Sequence, residues 1–346
     1  FNVSSGTDTI TDLSENDILI VTNGALVNVT NIDAFIATAA SYSSGTINLT
    51  TDSNGGTINL SNSASGDYSV TGGAGNDIIS GGNGSDIISG GNGADTIDGG
   101  DGADSLTGGS GNDVYLFDTG DVDSGESITE ASSGGTDAVA IVTTTDFANM
   151  TAASFNEIEE IRFAGANQTG TFTGAQLTGE TLSLTETASG TSNLIINVAS
   201  GTTATFANMT ASTFTSGSDT ITINGTTGNE TITAPNVAST INGGNGDDIL
   251  IGGSAADTAK YASASGGVIV DISNTSQQNT NSAGLDTLSS IENLFGSDYA
   301  DQLTGTSGNN YIWGSGGDDT INSGNGDDTI DGGDGADSLT GGSGND

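Results

Sequence analysis

"GGAGNDIISGGNGSDIISGGNGADTIDGGDGADSLTGGSGND" runs from Gly72 to Asp113 and repeats every nine residues. Asp77, Asp86, Asp95, Asp104 and Asp113 recur at that interval, and two residues after each comes an apolar side chain: Ile79, Ile88, Ile97, Leu106 and Tyr115. The unit is G-G-x-G-x-D-x-U-x, with U a large apolar residue. Glycine lets the backbone bend into positive φ. A glycine-rich turn can therefore aim several carbonyl oxygens at one point, and the short stem of aspartate brings its carboxylate to the same point. The x-U-x tail forms a short strand whose central side chain faces inward.

The rest of the chain gives these acids nothing to pair with. Its 346 residues carry 44 acidic side chains against two basic ones, for a net charge of -42. Such a chain repels itself when compact, and Arg162 and Lys260 cannot neutralise it. Nucleic acid is excluded as a partner, because phosphate binding needs clustered Lys and Arg. No apolar run approaches the ~20 residues of a transmembrane segment. With no cysteine or histidine, disulfides, thiol chemistry, the usual zinc sites and histidine-based triads are excluded too. Disorder, the other outcome of high acidity, is opposed by a 32% hydrophobic content and a single proline.

The same unit returns twice. Near the C-terminus its acid position reads Asp301, Asn310, Asp319, Asp328, Asp337 and Asp346, with Leu303, Ile312, Ile321, Ile330 and Leu339 as the apolar partners. A degenerate block lies between, at Glu230, Ser239, Asp248 and Asp257. A longer repeat overlies the short one: "TIDGGDGADSLTGGSGND" at Thr96–Asp113 recurs 233 residues on, at Thr329–Asp346. This reads as part of a longer tandem array. Elsewhere, "GTINL", "TLSLTET", "NLIINV" and "DTITING" read as short strands between turns. "FANMTAxxF" at Phe147–Phe155 recurs at Phe206–Phe214. The one helix expected is short, around Asp33–Ala40.

These observations predict an all-β chain, a parallel β-roll or β-solenoid. Two nonapeptides make one coil, and coils stack about 4.8 Å apart. Acids 18 residues apart then become neighbours, and bare they would repel. Carboxylates and carbonyls without nitrogen or sulfur form a hard oxygen cage, which by ligand type suits Ca2+ better than magnesium. The segments expected are 1–71, strand-rich; 72–117, a calcium roll; 118–223, a Thr/Ser-rich solenoid; 224–260, degenerate repeats; 261–300, a strand-rich lead-in; and 301–346, a second roll.

The blocks resemble the repeats-in-toxin (RTX, haemolysin-type) calcium-binding repeats, and "DTLSSIENLFGSDYADQLTGTSGNNYIWG" resembles the lead-in common in that family. The resemblance implies that each ion takes its acid and turn carbonyls from two facing turns. The candidate ligands in the first block are then Gly73, Gly75 and Asp77; Gly81, Gly82, Asn83, Gly84 and Asp86; Gly90, Gly91, Asn92, Gly93 and Asp95; Gly99, Asp101 and Asp104; and Gly108, Ser110 and Asp113. Further along they are Asp248, Asp257, Asp301, Asp319, Asp328, Asp337 and Asp346. The expected pairs are Asp77 with Asp95, Asp86 with Asp104, Asp95 with Asp113, Asp301 with Asp319, Asp319 with Asp337, and Asp328 with Asp346. Glu230, Ser239 and Asn310 depart from the motif, so few ions are expected near them.

The resemblance also implies type I secretion and an extracellular or bacterial cell-surface location. The function expected is structural and non-enzymatic: a surface layer or surface fibre that self-associates, with cell-surface polysaccharide as a further candidate partner. The alternatives are an adhesin stalk and the calcium-binding tail of a secreted enzyme or toxin. Acid pairs of the glycosidase kind are already explained by the repeat, and Tyr311 and Trp313 read as coil-edge packing.

Overall fold

Inward apolar residues on short strands organise the described part of the chain. In the computed structural model nearly every strand pairs in parallel with the strand one coil away. The structure describes residues 1–3, 6–11, 19–21, 26–37, 42–43, 46–51, 53–63, 66–131, 134–214 and 218–346. The chain forms two compact units, residues 1–170 with 182–190, and residues 171–181 with 191–346.

In the first unit, one parallel sheet includes Thr57–Asn59, Ile78–Asn83, Thr96–Asp101, Val114–Phe117, Ala138–Ile141 and Glu160–Phe163. Its register stacks Ile58, Ile79, Ile97, Tyr115, Val139 and Ile161 in a column. A second sheet includes Thr46–Thr51, Tyr68–Ala74, Ile87–Asn92, Ser105–Ser110 and Ser127–Ile128. It stacks Leu49, Val70, Ile88, Leu106 and Ile128. Every residue of both columns is at most 3% exposed. Burying each such side chain is worth about 1.5–3 kcal/mol relative to exposure. Phe117, Phe147 and Phe155 add an edge-to-face cluster, with ring centroids 5.2 and 5.9 Å apart.

The second unit repeats the plan. Ile223, Ile241, Ala259, Leu294, Ile312 and Ile330 form one column, and Ala204, Ile232, Leu250 and Leu288 another. Val270, Leu303, Ile321 and Leu339 form a third. The "FANMTAxxF" copies fold alike: Met150 N donates to Phe147 O, and Met209 N to Phe206 O, both at 2.9 Å. Phe147, Met150, Phe155, Phe206, Met209 and Phe214 are all buried.

The structure corrects two expectations. Ala34–Ile36 is a strand, with Phe35 stacked on Ile58, so the expected helix at Asp33–Ala40 does not form there. A parallel partner and a buried ring override local propensity; residues 38–40 lie outside the described residues. A one-turn helix stands instead at Gly174–Leu177, where Thr173 N donates to Gln176 Oε1 at 2.7 Å, as the T-x-x-Q spacing allows. Four strands of the first block, Ile78–Asn83, Ile87–Asn92, Thr96–Asp101 and Ser105–Ser110, also run six residues, not three, because pairing continues into the turn as Gly82↔Gly100 and Gly91↔Gly109.

Candidate metal centre

The acids of the nonapeptides line the coil edges in rows. Each uses one oxygen to hold the coil before it. Asp77 N donates to Asp95 Oδ1 at 2.8 Å, Asp86 N to Asp104 Oδ1 at 2.7 Å, and Asp95 N to Asp113 Oδ1 at 2.8 Å. The last block does the same: Asp301 N to Asp319 Oδ1 at 2.8 Å, Asp319 N to Asp337 Oδ1 at 2.9 Å, and Asp328 N to Asp346 Oδ1 at 3.0 Å. Acids 18 residues apart are thus neighbours, as the spacing predicts, and the bond that joins them here is a backbone N–H to Oδ1. In the middle block Glu230 N donates to Asp248 Oδ1 at 2.8 Å.

The second oxygen of many of these acids has no such use. Oδ2 of Asp86, Asp95, Asp104, Asp113, Asp248, Asp319 and Asp328 is buried without a hydrogen-bond donor. An unsatisfied buried carboxylate oxygen is costly, so seven of them in repeated positions mark a place for a cation. The glycine five residues before six of these acids supplies the room; before Asp328 that position is Ser323. A Cβ at Gly81, Gly90, Gly99, Gly108, Gly243 or Gly314 would collide with the Oδ2 of its acid. The same Cβ would lie 2.6 Å from Gly99 O at Gly81, 2.8 Å from Gly108 O at Gly90, and 2.5 Å from Gly332 O at Gly314. Carboxylate and carbonyl oxygens from successive coils thus converge on one glycine-lined space. The donors are all hard oxygens and fit calcium.

Other candidate residues shape the turns. Gly73, Gly75, Gly82, Gly84, Gly91 and Gly93 have positive φ, and a Cβ on Gly91 would strike the Gly73 backbone. Asn83 pairs with Asp101, and Asn92 with Ser110, at the exposed strand ends. Asp77 accepts Gly56 N through Oδ1 at 2.6 Å, and its Oδ2 lies 2.5 Å from the Cβ position of Gly72. Asp337 is part-exposed and Asp346 exposed.

Burial raises the carboxyls of Asp86 and Asp248 to about 7 and those of Asp104 and Asp113 to about 6, and neighbouring carboxylates add to the shift. The two basic residues are engaged elsewhere. Arg162 pairs with Glu160 at 2.7 Å, and Lys260 lies over the Phe295 ring at 4.8 Å.

Where the motif departs, the chain supplies its own donors. Asn310 Nδ2 donates to Glu292 O at 2.6 Å, while Asn310 Oδ1 accepts Thr306 N at 2.7 Å. Glu230 accepts Gly201 N and Thr226 N, each at 2.8 Å. Ser239 Oγ donates to Asp257 Oδ1 at 2.7 Å, and Gly253 N to Asp257 Oδ2 at 2.6 Å. Ser297 binds both oxygens of Asp301, through its N at 2.6 Å and its Oγ at 2.7 Å. Asp257 and Asp301 stand in the rows, but both of their oxygens already have donors.

The rows also recruit acids outside the nonapeptides. Asp104 N donates to Glu126 Oε2 at 2.8 Å, Asp113 N to Asp137 Oδ1 at 2.9 Å, and Asp137 N to Glu159 Oε2 at 2.8 Å. Asp219, Asp286 and Glu292 accept Ser192 N, Asp248 N and Asp257 N in the same way. Burial raises the Glu126 carboxyl to about 8. One signal marks them in the sequence. Each stands two residues before an inward apolar residue: Ile128, Val139, Ile161, Ile221, Leu288 and Leu294.

The family model of the RTX calcium-binding nonapeptide repeat (4 copies) matches residues 66–97, 89–121, 224–259, 295–330 and 319–346. No curated protein matches the chain. No helix among the described residues is long and apolar enough to cross a membrane.

Proposed function

We propose that this chain, a calcium-binding protein of the RTX repeat family, is a secreted structural protein that folds on meeting calcium and assembles into an extracellular surface layer or surface fibre. The calcium-dependent folding rests on one observation, the row of buried carboxylate oxygens without donors. Asp86, Asp95, Asp104, Asp113, Asp248, Asp319 and Asp328 would hold the ions, with the turn carbonyls beside them. Bound calcium supplies the positive charge that carboxylates of successive coils need to stay close. The residues do the rest. Each acid fixes the N–H one coil away, the first glycine keeps space open at all but Asp328, where Ser323 stands in its place, and each apolar partner anchors the turn to the core.

No such site exists in the open chain, so ion binding is coupled to folding. In a calcium-poor cytosol the acids repel and the chain stays exportable. Outside, calcium at roughly millimolar levels meets sites of modest affinity. The reading is non-enzymatic. Assembly is supported by the 233-residue repeat, because stacked repeats cover strand edges that would otherwise be exposed. A stalk or an enzyme tail would use the same turns without self-assembly. Electron microscopy of the purified chain separates these readings. Ordered sheets or fibres with calcium, dispersed by EDTA, are expected; isolated particles at every calcium concentration would rule out the lattice.

A further inference from the structure

We propose a calcium site outside the nonapeptide register, formed by Asp113, Glu130 and Asp137 where the first block gives way to longer coils. It rests on the calcium reading above. The acid expected 18 residues after Asp113 would be at position 131, which is alanine. The row resumes at Asp137, whose Oδ1 accepts Asp113 N at 2.9 Å. Between them Glu130 turns back onto the block. Its Oε1 accepts Gly108 N at 3.1 Å and the Tyr115 hydroxyl.

The three carboxylates each offer an oxygen within 4.8 Å of the others. Asp113 is 0% exposed, and its Oδ2 is buried without a donor, as is Glu130 Oε2. Both side chains converge over Gly108. A Cβ there would collide with Asp113 Oδ2 and lie 2.5 Å from Glu130 Oε1. On the far side, a Cβ at Gly134 would lie 3.0 Å from Gly109 O, 3.1 Å from Ala131 O and 3.2 Å from Asp137 Oδ2. Three carboxylates and nearby carbonyls make an oxygen-only donor set, which suits calcium.

Glu130 and Asp137 lie beyond the segment, 89–121, that matches the repeat family. Two of the site's three carboxylates therefore come from outside the repeats, while Asp113 and Gly108 belong to the last repeat turn. The site contains a third carboxylate, and that carboxylate is oriented by the buried hydroxyl of Tyr115. More carboxylates favour tighter calcium binding, so this site belongs to the tightest class.

Two variants of the full chain test it. Calcium binding by equilibrium dialysis and calorimetry should show one ion fewer per chain in Glu130→Gln, or the tightest class weakened by about 10-fold or more. Unchanged stoichiometry and affinity in a folded Glu130→Gln chain would overturn the site. Wild-type protein that takes up no calcium would instead overturn the broader reading. Tyr115→Phe keeps all three carboxylates and removes the neighbouring phenol. With terbium as probe, its tyrosine-sensitised emission should fall below wild type, and equal emission would contradict the site even if Glu130→Gln fails to fold.

Discussion

At the scale of the residue, the acid rows divide into acids with a spare oxygen and acids without one. Asp104 belongs to the first kind: Oδ1 holds Asp86 N at 2.7 Å and Oδ2 has no donor. Asp104→Asn should raise the calcium concentration needed for folding, read as the midpoint of a calcium titration, and should remove about one bound ion. Asn310 is of the other kind, since its amide donates to Glu292 O where a cation would otherwise bring the charge. Asn310→Asp should add one bound calcium ion and make folding depend more steeply on calcium. Calcium titration with a count of bound ions checks this, and a variant with the wild-type midpoint, slope and stoichiometry would show that the amide does not replace an ion. These two roles are only partly legible in sequence. The missing acid at Asn310 is plain, whereas the loss of a free oxygen at Asp257 and Asp301 depends on donors from Gly253 and Ser297, which the repeat does not specify.

At the scale of the element, a strand contributes an inward side chain to a column, and in most nonapeptides the residue just before it contributes an acid to a row. Ile97 stacks between Ile79 and Tyr115 and is 0% exposed. Ile97→Ala should cost about 2–5 kcal/mol, measured by denaturation in saturating calcium. A loss well under this would mean that the column contributes little. The blocks of fixed period were readable because both the turn and the strand repeat. The longer coils were not. Their row contacts span 22, 24 and 22 residues at Glu126, Asp137 and Glu159, and 38 at Asp286, so no period survives. What persists is the acid two residues before an inward apolar side chain, a constraint set by the pleat and independent of turn length. The helix expected at Asp33–Ala40 failed for a related reason. Phe35 is 1% exposed and stacks on Ile58, a pairing that local pattern cannot see.

At the scale of the whole molecule, a net charge of -42 must be offset before any coil closes. Protons can do part of this without metal. Burial raises the carboxyls of Asp86 and Asp248 to about 7, of Asp104, Asp113 and Asp137 to about 6, and of Glu126 to about 8. The unfolded chain titrates near 4, so between these values the folded state binds more protons. The penalty is full above about pH 8, fades as pH falls through about 6, and is gone below about 4. In EDTA the chain should therefore hold more β-structure at pH 5 than at pH 8, as circular dichroism would show; the opposite order would mean that these carboxyls do not limit folding. The most direct measurement is far-ultraviolet circular dichroism of the full chain at neutral pH, first in EDTA and then titrated with calcium, with magnesium as control. A cooperative gain of β-signal with calcium, absent with magnesium and reversed by EDTA, is the result expected. A full β-spectrum in EDTA that calcium leaves unchanged would contradict the account.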